Sequence, residues 1–359
     1  MKNQIKCKQI CALFIGILPL IKFVTAPSYF ASLCKEKLWQ PIVILFALDF
    51  FILLICLIAV KKHHNKSFGQ ILSDTYGDFF AKFIFFIYAV YFLLKGFIPL
   101  IEQKELIENA FYETLPQAPV FYPVFIIIFY LCLKGFKTFG RASGICLGIS
   151  AIGLGLIILL SIPTLKLKNL LPLFAFTNKS APICALNALS WFSDGIYLIF
   201  FLGYFEQKKG DFKRFAVSLI ISFLTVLIFF VVFYSIFYTV SSTQKLALSS
   251  ISIFGVTLVN VGRFDYIALF LLSVSSTMAI SLPFALSTEC LTFCFNFKNR
   301  IYPSIIVCII LLTACLLFSA KYQLSFDFSL KYFTPLFVIC GYILPLLALG
   351  GKKREVQKI

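Results

Sequence analysis

The chain has 359 residues, 60% of them apolar, 18% aromatic and only 13% charged, with a mean hydropathy of +0.96. That composition excludes a soluble domain of this size and leaves a polytopic membrane protein. The net charge of +17 does not call for a nucleic-acid partner, because the lysines sit in short loops between apolar stretches, where the membrane surface accounts for them.

About 20 mainly apolar residues cross the hydrocarbon as a helix, and ten such windows follow one another, at 8–31, 40–60, 79–101, 118–134, 141–163, 187–205, 215–240, 265–293, 302–320 and 333–349. The first follows a basic start, as a signal peptide would, but no small-residue cleavage site precedes a polar mature chain, so it is expected to be retained. The windows divide five plus five around the loop from Thr164 to Leu186. The expected organisation is a first five-helix repeat over 1–164, an extracytoplasmic loop over 165–186, a second five-helix repeat over 187–349 and a basic cytoplasmic tail over 350–359.

With the N-terminus in the cytoplasm, the inside loops hold about twice the lysine and arginine of the outside loops, including Lys61, Lys62, Lys134, Lys137, Lys213 and Arg214. Both termini are therefore expected in the cytoplasm. Five crossings separate span one from span six, so the two halves run in opposite senses. Inverted repeats of this kind place a substrate site near the bilayer midplane, where broken helices expose backbone groups. The repeat here is inferred from count and spacing.

In span one, Phe14-Ile-Gly-Ile-Leu-Pro-Leu-Ile-Lys22 combines a flexible Gly16, Leu18, Pro19 with no backbone donor, and a charge. An unwound stretch there could bind a ligand, and a simple proline kink would read the same way. Lys22 needs water, a carboxylate or carbonyls at that depth, unless it snorkels toward the outer face. In span two, Asp49 is flanked by apolar residues and needs a partner, for which Lys22 or Lys95 would serve, as a structural pair or as a proton relay. Span three sets Tyr88, Tyr91 and Lys95 on one helical face, which would line a cavity or form an interfacial belt.

Span six carries Ser190-Trp-Phe-Ser-Asp-Gly-Ile-Tyr197. Ser193, Asp194 and Gly195 make a natural interruption whose oxygens could accept from an amine or a proton, although Asp194 would also suit a solvated cap. Span eight holds Ser273, Ser275, Ser276 and Thr277, which serve helix packing or ion coupling. The substrate-binding set read from the residues is thus Gly16, Leu18, Pro19, Lys22, Tyr91, Ser193, Asp194 and Gly195, with Asp49, Lys95 and Ser276 for ion or proton coupling. Twelve cysteines lie largely within spans with no Cys-x-x-Cys spacing and read as small apolar fillers, and His63-His64 reads as a loop. No cofactor or metal is expected. No phosphate-binding loop, His-Glu-x-x-His or Gly-x-Ser-x-Gly motif is present, so the residues suggest no enzyme.

The order of features resembles the spore germination permease family, the B subunits of GerA-type germinant receptors within the amino acid-polyamine-organocation superfamily. Leu115-Pro-Gln-Ala-Pro119, an apolar span and Gly135-Phe-Lys-Thr-Phe-Gly-Arg141 are similar to the family's Leu-Pro-x-Thr-Pro, span, Gly-x-x-x-x-Gly-Arg pattern, with Ala118 where threonine is usual. Lys168-Asn-Leu-Leu-Pro172 is similar to its Asn-Leu-x-Pro segment. The Ser-Asp-Gly break looks like the interrupted sixth helix of the superfamily, while Lys22 departs from the usual first break, where it would stand in for a coupling cation or reject cationic ligands.

The resemblance implies an all-α bundle of about ten transmembrane helices, two inverted five-helix repeats of the LeuT type with helices 1 and 6 broken. It implies a receptor subunit in the inner membrane of a spore that senses a small amino-acid-like germinant beside a larger A subunit and a lipoprotein C subunit. The alternative is a proton-coupled secondary amino acid transporter.

Overall fold

The computed structural model describes residues 5–63, 66–111, 117–171, 180–205, 208, 210–255, 265–318, 328 and 332–350. Outside the described residues lie His64, Leu115 and Pro116 of the Leu-Pro-Gln-Ala-Pro motif, Pro172, and the basic tail from 351. Among the described residues all regular structure is helical, as expected. In chain order the helices are α1 (Cys7–Gly16), α2 (Ala26–Cys34), α3 (Trp39–His63), α4 (Phe68–Tyr76), α5 (Asp78–Phe111), α6 (Gln117–Lys134) and α7 (Phe136–Ser161). The second half continues with α8 (Ala181–Asn187), α9 (Gly195–Phe201), α10 (Asp211–Phe237), α11 (Ala247–Gly255), α12 (Asp265–Phe295), α13 (Ile301–Phe318) and α14 (Thr334–Val338). A π turn over Ile339–Ile343 and a 3-10 turn over Leu344–Leu349 extend α14.

Each of the ten windows contains a helix. Six helical spans among the described residues are long and apolar enough to cross a membrane, the bent α1–α2 pair makes a seventh, and α6, α13 and the α14 segment supply shorter apolar helices. Their outer faces carry exposed apolar side chains such as Phe79, Ile126, Ile145 and Leu317, which suits lipid because each helix satisfies its own backbone. The chain is a multi-pass membrane protein.

Both expected breaks are present. In span one, α1 ends at Gly16, a 3-10 turn runs over Leu18–Lys22, and α2 restarts at Ala26–Pro27 after a 63° bend. Pro19 removes a donor inside the turn, and Pro27 opens the next helix, where its missing N–H leaves no bond unmade. In span six, α8 passes through a 3-10 turn at Ala188–Ser190 into irregular backbone before α9. Ser193 adopts φ +62 there, a conformation that costs a non-glycine residue about 1–3 kcal/mol and persists only where the surroundings impose it.

Helices α5 and α12 pack along each other at the centre, and α12 also meets α6, α7 and the Leu18–Lys22 turn. Helix α3 packs on α9 and α10. The hydroxyls of α12 mostly bond back to their own helix, as from Thr277 to the Ser273 carbonyl at 2.9 Å and from Thr288 to the Phe284 carbonyl at 3.0 Å. Such bonds keep the polar atoms satisfied while the small side chains allow close packing.

The end of the bundle that carries the N-terminus is tied by one carboxylate. Glu289 of α12 accepts from the Tyr204 hydroxyl through Oε1 and pairs with Arg300 through Oε2 at 2.5 Å. The Tyr204 carbonyl accepts from the Ile5 amide at 2.8 Å. Gly135, the first glycine of the Gly-x-x-x-x-Gly-Arg motif, has φ +69, and a β-carbon there would collide with the Arg300 guanidinium. The motif glycine therefore makes room for the arginine that completes this junction.

Candidate ligand site at the two helix breaks

Four ionisable side chains meet where the broken spans face each other. Lys22, at the end of the first break, donates to Asp194 in the sixth and to the Leu18 carbonyl at 3.2 Å. Lys95 of α5 donates to the Phe192 carbonyl, which the sixth break has freed from helical bonding. Asp49 of α3 accepts from the Gly195 amide through Oδ1 at 2.9 Å. Residues Phe192 to Gly195 thus hold both lysines and both aspartates on one short stretch of irregular chain.

Electrostatics explains why all four come together. Lys22, Asp49, Lys95 and Asp194 are each at most 2% exposed, and a single ion at that depth would cost several kcal/mol. Two cations and two anions give a formally neutral group, and the aromatic faces help: the Lys22 ammonium lies 5.1 Å from the Phe192 ring centre and that of Lys95 5.6 Å from the Tyr197 ring centre. Gly195 is required at this point by close approach. A β-carbon on it would stand 2.9 Å from Ile52 Cβ and 3.1 Å from the Asp49 carbonyl oxygen.

The group is not saturated. Asp49 Oδ2 and Asp194 Oδ1 are buried without a hydrogen bond, as are the hydroxyls of Tyr91 and Tyr197. Unsatisfied buried polar atoms are costly and uncommon, so four of them around one break are a notable concentration. Chemically they offer acceptors to an ammonium group and donors to a carboxylate, side by side.

The structure places the expected residues as follows. Leu18, Pro19, Lys22, Ser193, Asp194 and Gly195 lie at the facing breaks and are buried. Asp194 is ion-paired and not a solvated cap, and Lys22 does not snorkel. Tyr91 points toward the π turn, its hydroxyl 3.8 Å from where a β-carbon on Gly341 would stand, with Ser193 Oγ on the same spot at 3.6 Å. Gly16 instead abuts α7, where a β-carbon would sit 2.7 Å from Leu147 Cα. Ser276 donates to Gln103 Oε1 at 2.7 Å and to the Ser273 carbonyl at 2.9 Å, in a separate network between α5 and α12.

Sequence reasoning missed Glu102 and its partners. Glu102 Oε1 accepts from Thr25 Oγ1 at 2.5 Å and from Trp191 Nε1 at 2.7 Å, so α5 clasps the first break and the sixth together. The available signal was position: Tyr88, Tyr91, Lys95, Ile98 and Glu102 repeat at steps of three and four along one face of α5. The expected span ended at 101, which assigned Glu102 to a loop. Tyr197 follows the break by two residues and carried no pattern of its own.

Comparison with known proteins fits this architecture. The chain is similar in structure to the manganese transporter of Eremococcus coleocola in complex with an aromatic bis-isothiourea substituted compound, at 13% identity and TM-score 0.54, over 97% of this chain and 82% of that one. A histidine-to-alanine mutant of the same transporter aligns at 14% identity and TM-score 0.50, over the same shares of both chains. Likeness at that identity concerns the fold, which is the LeuT-like arrangement of two inverted five-helix repeats with helices 1 and 6 broken. No curated protein matches the chain. The model of the spore germination protein family matches residues 4–323, a family of permease-like membrane proteins and not an enzyme class, and the chain belongs to that family.

Proposed function

We propose that the chain is the membrane subunit of a spore nutrient-germinant receptor, binding a small amino-acid-like germinant where the two breaks meet and signalling to partner subunits. The observation that carries the reading is the set of buried polar atoms without partners at the breaks, Asp49 Oδ2, Asp194 Oδ1 and the Tyr91 and Tyr197 hydroxyls, in a chain of the spore germination protein family. An amino acid brings the complementary groups: its ammonium to the aspartates, its carboxylate to the phenols and the lysines. A ligand ammonium at Asp194 competes with Lys22, and release of Lys22 loosens the contact between the breaks. A ligand that binds one arrangement of the bundle better shifts the population toward it. The partners implied by the family are a larger A subunit and a lipoprotein C subunit, in the spore inner membrane with both termini in the cytoplasm.

The manganese of the structural relative is not carried over, because two buried ammonium groups at the breaks oppose a divalent cation. Among the described residues no group of three His, Cys, Asp or Glu side chains could hold a metal ion. A second reading is proton-coupled amino acid transport, favoured by the open oxygen of Asp49 as a proton acceptor. The test is the dose of nutrient needed for germination of spores carrying Tyr197→Phe or Asp194→Asn at matched receptor abundance. A raised dose supports the site, and an unchanged dose in both overturns it. Uptake of amino acid into proteoliposomes driven by a pH gradient would favour the transport reading.

A further inference from the structure

A groove of about 560 Å³ opens on the side of the bundle at its N-terminal end, between α1, α7 and α10. Its wall is apolar, formed by residues that include Ala12, Ile15, Leu147 and Val217, and its rim carries Lys8, Lys213 and Arg214. All three cations are exposed. Among the described residues the acid beside them is Asp211, which is buried and already engaged by the Lys208 amide and by Arg214 Nη1, each at 2.9 Å. Arg214 has further donors beyond that bond, and α10 begins at Asp211, so the positive end of its backbone dipole faces the same rim.

This geometry points to a binding site for one anionic phospholipid from the leaflet on the N-terminal side. Its phosphate sits among Lys8, Lys213 and Arg214, and part of an acyl chain lies along the apolar wall. Charge complementarity selects this occupant. A lipid with no net charge would leave Lys8 and Lys213 without a net counter-charge at the depth of the headgroups, and a soluble anion would leave the apolar wall uncovered. The site is separate from the helix breaks and does not depend on the proposed germinant role. Because α1 leads into the first break, lipid at the groove bears on the segment that carries Lys22.

The test is lipid retention by the full-length purified chain, measured by native mass spectrometry from detergent containing phosphatidylglycerol or phosphatidylcholine. A cation at the membrane surface contributes roughly fivefold in affinity. K8Q/K213Q should therefore lower phosphatidylglycerol affinity about twenty-fivefold, and K8Q/K213Q/R214Q about a hundredfold. The double variant leaves the Arg214–Asp211 pair intact, so its loss cannot come from a disturbed helix start. K134Q/K137Q, equal in charge change on another loop, should change affinity less than about twofold by the same scale. Equal loss in that control, equal retention of phosphatidylcholine, or displacement of phosphatidylglycerol by glycerophosphate as effective as by the intact lipid would each overturn the assignment.

Discussion

Half-buried Glu289 and buried Asp194 are both carboxylates paired to a cation, yet they differ in what remains open. At the N-terminal end of the bundle, Glu289 uses one oxygen for Tyr204 and the other for Arg300. At the facing breaks, Asp194 uses one oxygen for Lys22 and leaves the other without a donor, and Asp49 beside it accepts from the Gly195 amide through one oxygen and leaves its other open. The first arrangement joins segments and is complete. The second holds charge in readiness, since a fully matched network gains nothing from a ligand and a partly matched one does.

Substitutions can break or sharpen that contrast. The largest expected effect belongs to Asp194→Asn, which leaves the Lys22 ammonium buried without a counter-charge and should destabilise the purified chain by about 3–5 kcal/mol in denaturant unfolding. The paired replacement Lys22→Met with Asp194→Leu should recover most of that stability while abolishing the nutrient response. Recovery of both together would assign the pair to folding alone. Gly135→Ala should cost about 1–3 kcal/mol, because its positive φ and the Arg300 guanidinium both reject a side chain; the unfolding midpoint reads this directly.

Glu289→Gln is expected to lower stability by about 1.5 kcal/mol with no change in germinant dose once receptor abundance is matched. A changed dose would mean that the junction at the N-terminal end also senses ligand. The smallest stability effect falls to Tyr197→Phe. Its hydroxyl makes no hydrogen bond, so unfolding should move by less than about 0.5 kcal/mol. The germinant dose should rise about two- to tenfold, the worth of one hydrogen bond to ligand. A destabilised protein with an unchanged dose would reverse the distinction drawn between the two carboxylates.

By itself the sequence determined the class, the apolar spans and the place of both breaks, because hydropathy, helix length and backbone chemistry act within a few residues of one another. Gly-Ile-Leu-Pro in span one and Ser-Asp-Gly in span six carried their interruptions locally, although the residue with positive φ proved to be Ser193 and not the glycine. The motif around Gly135 was legible as a family mark, but its role waited on Arg300, far along the chain. Only the tertiary structure decided which charges met. Asp49 went to the Gly195 amide, Lys22 to Asp194 and Lys95 to a carbonyl of the sixth break. Glu102 left its expected loop to clasp both breaks. Pairing across long separations follows from how helices stack and which ions lose their water together, and no local pattern records either.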